Sequence, residues 1–128
     1  MQRRAFLSAA SLLAMPVAAT AQSSWPDRPV RLVVPYPPGA STDSLGRLVA
    51  QRVAAALGQP VVVENRAGAS GVIGTEHVSR AAPDGYTFLL GTDSTHASST
   101  HMTATPSYHP IRDFTPLTLA ASNPIVLV

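Results

Sequence analysis

The 128-residue chain has no cysteine and no lysine, a single tryptophan, and charge on only 12% of its residues. Without cysteine, disulfides, thiol nucleophiles and thiolate metal sites are all excluded. Without lysine there is no Gly-Lys-Ser/Thr phosphate loop. All nine basic residues are arginines, and no cluster of them builds the basic patch that nucleic-acid binding demands. Long apolar runs are missing too. The stretch from Ala5 to about Met15 is too short to span a bilayer.

What that stretch does have is the anatomy of an export signal. Arg3 and Arg4 precede it, and the small-residue triplet Ala19-Thr20-Ala21 follows. The expectation is a secretory leader over residues 1–21, of Sec or twin-arginine type, cleaved after about Ala21. Two arginines leave with it, and the remaining seven face seven acids. The mature chain is then neutral, periplasmic and not inserted in a membrane.

From residue 30 the pattern alternates. "VRLVVP" (30–35) is a short, nearly continuous apolar run, as in a strand buried on both faces. Leu45, Leu48, Val49, Val53, Ala56 and Leu57 then recur at helical spacing, and Gly58 followed by Pro60 stops the helix. "PVVVEN" (60–65) is a second strand, a weaker helical pattern runs from Val72 to about Ala81, and "TFLLGT" (87–92) is a third strand after a Pro-Asp-Gly turn. This order predicts βαβ units and an α/β fold with a mostly parallel sheet and flanking helices. Residues 93–102 read as a short helix, 104–116 as Pro-rich connection, and 117–128 as two short strands joined by Asn123-Pro124. The chain stops within that last apolar run, so the domain is expected to be incomplete.

In an open parallel sheet, the loops leaving the C-terminal ends of the strands share one edge, where ligands bind. Three such loops are legible: "PYPPGASTD", "NRAGASG" and "GTDSTHA". Small residues let backbone N–H groups approach a ligand, and the first loop feeds a helix N-terminus. That is anion chemistry in uncharged form, and it suits a small carboxylate at least as well as a phosphate. After Gly39 come Ala40, Ser41, Thr42 and Asp43, so both the dinucleotide fingerprint and the nucleophile elbow fail. Ser41 is expected to cap the helix or bond a ligand. Asp43 suits the first helical turn, with Arg47 at i+4 as an exposed partner. Direct contact with an anion would be repulsive, so any part in binding is expected to be orienting the loop, holding a water or meeting an amino group on the ligand. His96 and His101 are five apart with no acid to complete a ligand set, so no metal site and no cofactor are expected.

These motifs, with "LGQPVVVENRAGA" and "AAPDGYT", resemble the tripartite tricarboxylate transporter substrate-binding proteins, also called the Bug family. The resemblance covers the chain from about Trp25 to Val128. It implies a Venus-flytrap, periplasmic-binding-protein architecture, of which residues 22–128 form an incomplete first lobe ending near the crossover to a second. It implies capture of a small carboxylate or similar metabolite for membrane transporter subunits, without catalysis. By loop position, the ligand contacts carry onto Tyr36, Gly39, Ala40, Ser41 and Asp43; onto Ala69 and Ser70; and onto Thr92, Asp93, Ser94 and His96. Where the family usually has Gly-Gly, this chain has Gly39-Ala40, and a Cβ there is expected to disfavour positive φ and crowd a backbone-bound carboxylate. One lobe offers half a cleft, so weak or absent ligand binding and an aggregation-prone sheet edge are expected. Two other readings stay open: an esterase-like hydrolase using Ser41, and a receptor fragment acting through protein contact.

Overall fold

A computed structural model describes residues 25–102 and 107–122. The predicted leader and the last apolar residues, 123–128, lie outside them. Three parallel strands form one sheet: β1 (Val30–Val34), β2 (Val61–Asn65) and β3 (Thr87–Leu89), in the order β2-β1-β3. Val30 to Val34 pair with Val61 to Asn65 on one side, and Arg31 to Val33 pair with Thr87 to Leu89 on the other. As the middle strand, β1 carries the core. Val30, Leu32, Val33 and Val34 are buried, while Arg31 is not.

The chain moves one way across the sheet from β1 to β2 and the opposite way from β2 to β3. Right-handed crossovers therefore place the two connecting helices on opposite faces. These are α1 (Ser41–Leu57) and α2 (Val72–Ser79). Gly46 of α1 lies against Leu32, Val34 and Leu90, whereas Gly74 of α2 lies against Pro35. Residues 32 and 34 share one face of the strand and 35 takes the other, as period two requires. At both positions a Cβ would come within 2.7 Å of a neighbour, so each helix rides close to the sheet on a glycine.

The predicted apolar stripe of α1 is turned differently. Asp43, Gly46 and Ala50 are its buried residues, while Leu48 and Val53 are exposed. Close approach through Gly46 and burial of the Asp43 carboxylate fix the rotation, and the larger side chains turn outward. Gly58 closes the helix in the left-handed conformation, its N–H bonding the Ala54 carbonyl.

β3 is shorter than the predicted strand, ending at Leu89. A last ladder bond from Leu90 N–H to the Val33 carbonyl precedes the loop. The predicted helix at 93–102 is a π-helical turn, Ser94–Ser98, running into α3 (Ser99–Met102). Residues 117–122 are not a strand; they are exposed and carry no regular structure. Alternating apolar residues alone do not make a strand where no neighbouring strand receives their N–H and C=O groups.

Candidate functional site

All three strands point the same way, so the loops after β1, β2 and β3 emerge at one edge. The sheet order reverses at β1, which puts a crevice between the first and third loops. The Tyr36 and Thr92 hydroxyls meet across that crevice at 2.8 Å. Gly71 of the second loop packs under the same pair: a Cβ on it would sit 3.4 Å from the Tyr36 hydroxyl and 2.7 Å from Thr95 Cγ2. One tyrosine hydroxyl thus gathers all three predicted loops.

The first loop is fixed from beneath by Asp43. Its residue is 3% exposed, and both carboxylate oxygens are occupied. The Gly39 N–H (2.9 Å) and Arg47 Nε–H (3.0 Å) donate to one oxygen. Asn65 Nδ2 donates to the other at 2.9 Å and to the Tyr36 carbonyl at 3.1 Å. The bond from Arg47, then those from Gly39 and Asn65, hold the Asp43 carboxyl at about 2, well below the usual carboxylate range, against an opposing effect of burial. Arg47 is the predicted i+4 partner. Asp43 therefore faces inward and meets protein donors, not the crevice.

Two expectations about this loop are corrected. Ala40, not Ser41, occupies the N-cap position, and no side chain caps the helix. Ala40 also carries no strain: its φ is −68°, and the positive φ of +85° falls on Gly39. The loop needs one glycine, and the chain provides it one residue before the alanine. Gly39 spends its N–H on Asp43, so the donors left at the helix start are the Ser41, Thr42 and Asp43 N–H groups and the exposed Ser41 hydroxyl. Within α1 the Ser44 N–H, bonded to the Ala40 carbonyl, is the first of these amides to find a helical acceptor.

The second loop is strained. Gly68, Ala69, Ser70 and Gly71 all have positive φ, at 137°, 46°, 54° and 93°. Left-handed alanine and serine are unfavourable by about 1 kcal/mol or more each, and such residues concentrate at functional sites. Ala69 and Ser70 sit exposed on this turn, Ala69–Gly71 being one turn of 3-10 helix. Its exit is anchored by the buried Thr75, whose hydroxyl donates to the Gly71 carbonyl at 2.9 Å.

In the third loop, Thr95 Oγ1 accepts the Thr92 N–H and donates to the Thr92 carbonyl, both at 3.0 Å. It also lies 2.9 Å from His96 Nδ1. Its hydroxyl proton is committed to the Thr92 carbonyl, so that contact is best satisfied by an Nδ1–H imidazole. Burial pushes the His96 pKa down, with a bond to the Thr92 backbone opposing. The ring is half-buried against Phe114, centroids 5.0 Å apart. Phe114 in turn packs edge-on to Tyr108, whose hydroxyl donates to the Thr95 carbonyl. Asp93 is exposed and Ser94 half-buried at the start of the π-turn.

All eleven sequence-derived positions therefore lie on these three loops. Their roles differ: Ser41, Ala69, Ser70, Asp93 and Ser94 line the outside, whereas Asp43, Gly39 and Tyr36 make bonds within the protein. Asn65, Gly71 and Thr95 were missed. A polar residue ending the apolar run "VVVEN" was the available signal for Asn65; nothing distinguished Thr95 from its Ser/Thr neighbours. Ser41 Oγ has no histidine or carboxylate hydrogen-bonded to it among the described residues, so the base that an activated serine needs is not assembled there. Nor do the described residues gather three metal-ligating side chains.

The sequence profile of the tripartite tricarboxylate transporter family receptors matches residues 45–128. Protein BugT of Bordetella pertussis is 43% identical over 118 residues, covering 91% of this chain and 35% of that protein. Among solved structures, MatC (Rpa3494) from Rhodopseudomonas palustris with bound malate superposes with a TM-score of 0.69 at 40% identity, over 72% of this chain and 31% of that one. R. palustris Rpa4515 with adipate gives 0.64 at 44% identity, over 67% and 29%. The chain spans about a third of the length of the relatives it matches.

Proposed function

Because the chain belongs to the tripartite tricarboxylate transporter receptor family, we propose that it serves in a periplasmic solute-binding receptor that captures a small carboxylate and presents it to membrane transporter subunits. The observation that carries this reading is the three-loop edge. It combines unpaired helix N-terminal amides, a strained turn exposing Ala69 and Ser70, and hydroxyls from Ser41 and Ser94. These donors solvate a carboxylate without a counter-charge. The structures with malate and adipate belong to relatives, and they support this ligand class for the present chain. No helix among the described residues is long and apolar enough to cross a membrane.

The mechanism is capture without chemistry. Asp43 is already neutralised by Arg47, so the first loop presents a net dipole, not a net charge, to an incoming anion. The Tyr36–Thr92 bond ties the first loop to the third, and Ser41, Ser70 and Ser94 are the residues assigned to meet one carboxylate group. The donors assembled from the three loops narrow the weak or absent binding expected of half a cleft to weak binding, near millimolar for malate or adipate. Equilibrium dialysis of the purified chain with labelled malate tests this. Saturable binding competed by adipate is the expected result; no saturable binding of any mono-, di- or tricarboxylate contradicts it.

A further inference from the structure

We propose that Asp43, Arg47 and Asn65 form a positioning unit that sets the shape of the Tyr36–Gly39 loop, and that none of the three touches the ligand. The inference rests on the receptor reading above and reassigns one of its residues. Loop position alone puts Asp43 at the ligand, whereas repulsion of an anion favours a capping or loop-orienting role, and the structure turns its carboxylate into the protein.

The geometry is specific. The loop leaves β1 at Tyr36 and enters α1 at Ser41, and it has no ladder or helix of its own to hold it. Two of its backbone groups are taken up by this unit. The Tyr36 carbonyl accepts Asn65 Nδ2, and the Gly39 N–H donates to Asp43 Oδ2. Asn65 Nδ2 also donates to Asp43 Oδ1, so a single amide nitrogen ties the two ends of the loop to one carboxylate. Arg47 completes the circuit, with Nε on Asp43 Oδ2 and Nη2 at 3.3 Å from Asn65 Oδ1. The three side chains come from the start of α1, one turn further along it, and the last residue of β2. The loop is thereby referenced to both a helix and the neighbouring strand.

The chemistry requires an ionised carboxylate. Asp43 receives three N–H donors and offers none, an arrangement that a protonated acid would spoil. The same unit explains why Gly39, and not Ala40, has positive φ: the Gly39 N–H must turn inward to reach Asp43. With that amide committed, the Ser41, Thr42 and Asp43 amides are the ones left without a helical acceptor.

Asn65→Ala and Arg47→Gln test the proposal; the Arg47 side chain is 57% exposed, which makes that variant safe for folding. In the isotope-labelled full chain, the Gly39 amide resonance and its hydrogen exchange report the loop directly. Both variants are expected to move the resonance and to speed exchange about tenfold or more, with β1 amides unchanged. Malate affinity should weaken about tenfold at unchanged melting temperature in Arg47→Gln, and Arg47→Lys should restore part of it. Unchanged Gly39 protection overturns the proposal, as does unchanged affinity once protection is lost. If the parent chain binds no carboxylate, the receptor reading fails for it, and the Gly39 signature alone then decides the positioning unit.

Discussion

The two ends of the sheet are built from the same residue types to different effect. At the loop edge, Asp43, Arg47, Asn65 and Tyr36 form a network whose carboxylate is buried. At the opposite end, Asp27, Arg28, Asp84 and Tyr86 form another. Arg28 bonds Asp84 at 2.9 Å and lies 4.1 Å over the Tyr86 ring, while the Tyr86 hydroxyl donates to Asp27. These partners are exposed, with Arg28 and Asp84 side chains 59% and 42% accessible. The far cluster ties the segment before β1 to the turn before β3, and water competes for each of its bonds. In the near cluster the Arg47 side chain is exposed but the Asp43 carboxylate is not, so losing a partner of Asp43 leaves a buried group unsatisfied. Where these side chains sit, more than which they are, separates a surface clamp from a site-forming unit.

Substitutions should break this contrast in a definite order. Asp43→Leu should be the most damaging, because it strands the Gly39 N–H, Arg47 and Asn65 together. A fall in melting temperature of about 10 °C or more is expected by thermal circular dichroism. Next comes Gly71→Ala, which combines φ of +93° with a Cβ 2.7 Å from Thr95 Cγ2. Urea unfolding should show a loss of about 1–3 kcal/mol, with the three-loop edge disturbed most. Acid should act on the near edge in two stages. His96 has a depressed pKa, so the unfolded chain takes up its proton first and stability declines as pH falls below 6.5. Asp43 is also depressed, so its contribution is complete above 3.8 and is lost as pH falls through about 2. His96→Gln should remove the first stage and leave the second. The smallest effect belongs to the far cluster. Arg28→Ala should change stability by less than about 1 kcal/mol, and high salt should shrink even that.

Much of this was legible in the sequence. The three strands, both connecting helices, the Gly58 stop and the shared loop edge all follow from apolar periodicity and turn residues, which are local signals. The family was legible from ordered motifs. What escaped depends on residues far apart in the chain. The rotation of α1 is decided by Gly46 against Leu32, Val34 and Leu90, and by Asp43 reaching Asn65, twenty-two positions away. Periodicity therefore favoured Leu48 and Val53, which the structure leaves exposed. A loop-orienting role for Asp43 was legible from its charge, but its burial and its bond to Asn65 were hidden for the same reason. Ala40 shows the limit of reading a motif by position: the strain expected there falls on Gly39. The strands expected near the end fail at 117–122 because alternation says nothing about whether a partner strand is present.

The central claim is that a carboxylate binds at the three-loop edge through uncharged donors, and not at the arginine-bearing far end. Titrating malate into the isotope-labelled chain and following every backbone amide tests it most directly. The account predicts saturable shifts at Ser41, Thr42, Ser70 and Ser94, with Arg28, Asp84 and Tyr86 still. Shifts confined to Arg28, Asp84 and Tyr86, or none at the loop edge, would contradict it.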